Sequence, residues 1–178
     1  DGYNPYRINK EGIDWEVVDE DDTWSHIGYW NDHQIIYLLK LLEGQWQIDR
    51  SFILNSLNKK MFSTANVPYK IRNDDEILKD PKNTIDFDHA LHQKIMNDVK
   101  KIGTDARLVL DQDQVVHVSM AEKLLVLQLS KLSNFIPDGG IWLNTQRPEW
   151  NDANNALVGY GVSMVTLYYL NRHISFIN

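Results

Sequence analysis

Apolar positions along the chain gather into five stretches with helical spacing. The first, Gln34-Ile35-Ile36-Tyr37-Leu38-Leu39-Lys40-Leu41-Leu42-Glu43, is apolar nearly all round, and Gly44 reads as its C-terminal stop. A second helix is expected from about Asp49 to Lys60, with Phe52, Ile53, Leu57 and Phe62 read as its apolar stripe. The short connection makes these two antiparallel neighbours. A third helix is expected from about Asp86 to Ile102, where Leu91, Ile95, Val99 and Ile102 form a stripe and Gly103 closes it. Ser119-Met120-Ala121-Glu122 is a capping box that opens a fourth helix to about Phe135. Pro137-Asp138-Gly139-Gly140 ends it with turn residues, and a fifth helix is expected over about 153–173.

The remaining segments are polar or irregular. Arg107–Leu110 and Val115–Val118 flank Asp111-Gln112-Asp113-Gln114, the pattern of a small β-hairpin near 107–118. Residues 63–85 carry Pro68 and Pro81 and read as a long loop. Residues 1–22 read as irregular, and Asp19-Glu20-Asp21-Asp22 as a solvated run without the central Gly and distal Glu of a calcium loop. The expected class is therefore mainly α, built of antiparallel helix pairs. No domain boundary shows, so 1–178 reads as a single domain or as part of a larger helical domain.

One stretch organises this pattern. Gln146-Arg147-Pro148-Glu149-Trp150-Asn151-Asp152-Ala153-Asn154-Asn155 runs directly into Ala156–Leu170, which contains no charged residue. A helix that is apolar on every side must be covered on every side. At this length it falls short of the ~20 apolar residues of a membrane span, so it reads as the buried inner helix of a soluble protein. Trp-Asn-Asp also occurs at 30–32, again just before an apolar helix. If successive helices alternate in direction, both triplets lie at one end of the molecule. Trp30, Asp32, His33, Glu149, Trp150 and Asp152 would then line one pocket.

Composition narrows the chemistry. A net charge of −7 argues against a nucleic-acid or anionic-membrane partner. The absence of cysteine excludes thiol catalysis, disulfides and Cys-based zinc sites. His89 and His92 are three apart on a helix, but no third ligand stands at a metal-site spacing, so neither a metal nor a cofactor is expected. No signal peptide is visible, and the compartment is left open between cytoplasm and periplasm. The chain begins at Asp1-Gly2 without Met, as a mature form or a piece of a longer protein would. Six Trp and eight Tyr are many for 178 residues, which suits either a core or a sugar-stacking cleft.

Paired carboxylates across a cleft edged by Trp, Asn and Arg suit glycosidic chemistry. One acid protonates the leaving oxygen, and a second carboxylate or a bound anion serves the other face of the sugar. Asp152, Glu149 and Asp32 are the carboxylates available. Trp30 and Trp150 would stack on pyranose rings, and His33, Arg147, Asn151, Asn154 and Asn155 would bind hydroxyls. Burial would raise the Asp152 pKa and the helix dipole would lower it. Asn and Asp are also the preferred helix caps, so for Asp152 capping and catalysis stand about even.

Glu149-Trp150-Asn151-Asp152-Ala153-Asn154-Asn155 resembles the Asp-Trp-Asn-Asp-Gly-Met-Asn signature of cellobiose-phosphorylase-like enzymes. The resemblance covers about seven residues, with Glu149, Ala153 and Asn154 departing from the signature. It implies an (α/α)6-barrel glycoside hydrolase or phosphorylase of which this chain, with five helices against twelve, would be a fragment. Asp152 would be the general acid, and helix pairs would form part of an (α/α) toroid. An oligosaccharide would be the substrate, and the rest of the catalytic domain a partner. No phosphate-binding set is evident, so hydrolysis and phosphorolysis both stand. The alternative is a non-catalytic helical domain that binds carbohydrate or serves a structural or interaction role.

Overall fold

A computed structural model describes residues 6–9, 12–15, 34–144 and 156–178. Strands β1 (Tyr6–Asn9) and β2 (Gly12–Trp15) pair antiparallel, with Tyr6 opposite Trp15. A π-helical turn over Gln34–Leu38 leads into α1 (Leu39–Ile48). Gly44 does not stop α1, which continues for another turn until Asp49 turns extended and caps α2 (Arg50–Leu57). The Asp49 carboxylate accepts from the Phe52 N–H at 3.2 Å, which satisfies one of the open donors of the new helix.

Residues 60–87 correct the expectation of a long loop. They form β3 (Lys60–Ser63), β4 (Tyr69–Ile71), α3 (Asp74–Lys79) and β5 (Ile85–Phe87). Tyr69 faces Phe87 and Ile71 faces Ile85 across an antiparallel pair. Alternating apolar residues supply the buried side of this pair, with Ala65, Tyr69 and Ile85 as its core. α3 is opened by an Asn73/Glu76 capping box, a signal present in the sequence but hidden among neighbouring acids. α4 (His89–Ile102) then starts at an Asp88 cap, three residues later than expected because Asp86 is held in β5.

A 3-10 turn at Thr104–Arg107 precedes the expected hairpin, which is the tight pair β6 (Leu110–Asp111) and β7 (Gln114–Val115). Gln112 and Asp113 both take positive φ, as a two-residue hairpin turn requires. The strand that follows, β8 (His117–Ser119), leaves the hairpin and pairs with β3 instead. Its last residue opens α5 (Met120–Leu132) through the predicted capping box, with the Ser119 N–H donating to Glu122 at 2.6 Å.

α5 gives way to β9 (Phe135–Ile136), which pairs with β10 (Gly140–Trp142), and β10 pairs in turn with β11 (Val162–Ser163). The last helix, α6, runs Met164–Ile177. It begins about eleven residues later than expected, because the chain is helical at Ala156 and Leu157, turns at Val158–Tyr160, and starts again where Ser163 accepts from the Thr166 N–H at 3.1 Å as the cap. Nor is it covered on all sides. Thr166, Leu170 and His173 are buried, while Val165 and Tyr168 are 56% and 66% exposed. No helix among the described residues is long and apolar enough to cross a membrane.

The architecture is thus mixed α and β, and the mainly α toroid of paired helices is overturned. Five small antiparallel sheets interleave with the helices among the described residues. The strands arise where short apolar–polar alternation is bounded by Pro, Gly and Asn, and such runs are too short to hold a helical stripe. The central core joins Ile35 and Ile36 of the π turn, Leu127 of α5, Ile141 and Leu143 around β10, and Leu170 of α6. A second cluster of Leu42, Ile53, Met120 and Leu124 ties α1, α2 and α5 together. Each large aliphatic side chain fully buried in such a cluster contributes about 1.5–3 kcal/mol.

Gly159 locks the region before α6 to the rest of the molecule. Its φ is +78°, and a Cβ built there would lie 2.6 Å from the Pro81 Cβ. Left-handed backbone strain and overpacking against a rigid ring should together make Gly159→Ala lose about 2–4 kcal/mol in urea denaturation. A loss below about 0.5 kcal/mol would contradict this close approach.

Candidate functional site

Trp30, Asp32, His33, Arg147, Glu149, Trp150, Asn151, Asp152, Asn154 and Asn155 all lie outside the described residues. What the structure does define is the frame from which their two segments leave. Residues 145–155 connect β10 to the turn before β11. On the near side Leu143 donates its N–H to the Gly161 carbonyl at 3.0 Å, and its own carbonyl accepts from Gly159 at 2.7 Å. The Trp142 indole adds a hydrogen bond from Nε1 to the Gly159 carbonyl at 3.2 Å. These bonds extend the β10–β11 ladder and close the base of the connection. Asn144, the last described residue before it, is buried and donates from Nδ2 to Asn134 Oδ1 at 3.3 Å.

The base rests on a buried polar layer between α5 and α6. Phe135 and Ser163 both face Ile141, while Gln128 meets His173 at the far end, so the two helices run in opposite directions. Lys131, Thr166 and His173 are each fully buried, and Gln128 is nearly so. Lys131 is partnered, as a buried ammonium must be. Gln128 Nε2 lies 3.0 Å from His173 Nδ1, an amide donor beside a ring nitrogen. That contact fixes the imidazole as an acceptor at Nδ1 and favours its neutral form. Burial lowers the His173 pKa, and its own backbone bond and Glu43 oppose this less strongly.

The sequence reading missed this layer, although it left a signal. Met120, Leu124, Leu127, Gln128 and Lys131 share the buried face of α5, so two polar residues interrupt an apolar stripe. By contrast, His89 and His92 pack their rings on Phe87, with centroids 4.8 and 5.5 Å away. Among the described residues no three His, Asp or Glu side chains gather as a metal site.

Two concavities are lined by described residues. One, of about 350 Å3, is lined by Ala65, Val67, Val118, Leu125, Val126 and Leu129. Its polar members are already engaged by the fold. Glu122 is held in the capping box, where the Ser119 hydrogen bonds keep its carboxylate pKa low. Lys123 donates to the Ser63 carbonyl at 2.8 Å, and burial lowers its pKa. That groove offers apolar contact rather than chemistry. The other, of about 550 Å3, lies between α1 and α6 and is lined by charged and aromatic groups.

No family model and no curated protein matches the chain.

His173 makes the buried layer sensitive to pH. Its folded-state pKa is depressed, so its contribution is complete above the unfolded value of about 6.5. Below that value the unfolded chain takes up a proton that the folded chain refuses, and stability falls until the folded pKa is reached. Melting temperature should decline from pH 7 to pH 5, and His173→Gln should flatten that decline. An equal slope in both proteins would exclude His173 as its source.

Proposed function

We propose that the chain belongs to a carbohydrate-active protein that cleaves glycosidic bonds, with Asp152 as the general acid. One observation supports this reading. Ile35, three residues after Asp32, and Leu143, two residues before segment 145–155, belong to the same core cluster. Both Trp-Asn-Asp segments therefore leave the described part of the chain from one patch of core. Two segments that join one patch of core suit the two walls of a cleft in which an acid and a second carboxylate flank the sugar. The closed base at Leu143, Gly159 and Gly161 supplies the fixed scaffold that a functional loop requires.

A second reading, a structural or interaction domain without catalysis, is favoured by the outer face of α5. Leu125, Val126 and Leu129 are 51%, 56% and 58% exposed on consecutive turns. Exposed apolar stripes of this kind mark surfaces that another element covers.

The two readings separate on one variant. In the full-length protein Asp152→Asn should reduce turnover of unactivated glycosides by at least about 10²-fold, the usual contribution of a general acid. Aryl glycosides with good leaving groups should lose less, since they need little protonation. Circular dichroism and melting temperature should stay at the parent values. Unchanged turnover of unactivated glycosides would overturn the assignment.

A further inference from the structure

Gly44 is a misfit in its helix. It lies inside α1, where Gly is less favourable than Ala because it loses more backbone freedom. Nothing in the fold demands it, since a Cβ there would meet no atom within 4 Å and its φ is not left-handed. Gly44 does, however, line the cleft of about 550 Å3 between α1 and α6. A side chain at this position would stand in that space.

The walls of the cleft are built of complementary groups. Arg172 of α6 forms a two-point fork with Glu43 of α1, Nε to Oε1 at 2.7 Å and Nη2 to Oε2 at 2.6 Å. Glu43 accordingly raises the Arg172 pKa further. With its partners 56% and 26% exposed, the pair adds little to stability. What it does provide is a rigid planar donor beside a rigid planar acceptor. Two guanidinium N–H bonds serve Glu43, leaving three donors, and the carboxylate keeps unused lone pairs. Trp46 and Phe176 complete the lining, with ring centroids 6.0 Å apart and planes at 79°. Lys40 and Gln47 also line it.

We propose that this cleft binds a neutral oligosaccharide. Neighbouring sugar hydroxyls present a donor and an acceptor about 3 Å apart, which matches the fork of Arg172 and Glu43. The C–H face of a pyranose suits the indole of Trp46. A purely apolar ligand would desolvate the ion pair without replacing its water hydrogen bonds. The volume falls within the roughly 300–1,000 Å3 usual for small-ligand sites. Gly44 is then the residue that keeps the floor open. The choice of ligand class rests on the carbohydrate reading above, but the described residues that line the cleft are remote in sequence from the 145–155 segment.

Calorimetric titration of the chain with cellotetraose, maltotetraose and xylotetraose tests the proposal. At least one should bind with millimolar or better affinity. Gly44→Leu should weaken that binding at least tenfold while raising or preserving the melting temperature. Arg172→Lys, which keeps the charge but loses the fork, should weaken it several-fold. Failure of all three sugars to bind would overturn the proposal, as would binding unchanged in both Gly44→Leu and Arg172→Lys. If Gly44→Leu does not fold, Arg172→Lys and Gly44→Ala decide the question in its place. Gly44-dependent binding in a full-length protein that turns over no glycoside would remove the catalytic reading alone. Turnover dependent on Asp152 without such binding would remove the cleft alone.

Discussion

The paired backbone at Leu143, Gly159 and Gly161 is the constraint on which the rest of this structure depends. Buried peptide groups must find partners, and here the partners lie on opposite sides of an eleven-residue connection. Pairing them joins β10 to the turn before β11 and aims α6 back across α5. It also brings Gly159 against Pro81, so that the 72–88 region is braced on the same frame. Gly159 meets both demands at once, a positive φ and an approach too close for any Cβ.

Polarity within the α5–α6 interface is the second organising feature. Lys131, Gln128, Thr166 and His173 are buried where an apolar layer would pack more simply. The Gln128–His173 contact crosses the interface and favours one register, because a slip would separate the pair. The interface therefore trades some hydrophobic stabilisation for a single alignment, and that alignment determines where segment 145–155 leaves the core. The outer surface shows the complementary arrangement. Glu43 and Arg172 bind α1 to α6 with little effect on stability, yet hold a donor and an acceptor in fixed relation beside Trp46.

Local signals in the sequence are legible where one residue acts on its near neighbours. The Ser119/Glu122 capping box, the Asp111–Gln114 turn and the amphipathic stripe of α4 all appear in the structure. Signals that depend on distant partners mislead. Gly44 resembles a helix stop, but α1 continues because Leu42 is anchored on Ile53, Met120 and Leu124. Residues 63–85 resemble a loop until Tyr69 and Ile71 find Phe87 and Ile85. The uncharged run 156–170 resembles one buried helix, but Gly159 and the β11 pairing divide it and leave one face of α6 open.

By itself the sequence determined the helix caps, the tight turns and the absence of thiol chemistry. Each of these follows from residue identity or from residues within a few positions of one another. Only the tertiary structure decided that the architecture is mixed rather than a ring of helix pairs, because strand pairing is a choice between distant segments. It alone revealed that Gln128 and Lys131 belong to a buried layer and that Gly44 floors a cleft. Burial and open space are properties of the assembled chain, and no local pattern encodes which surfaces meet.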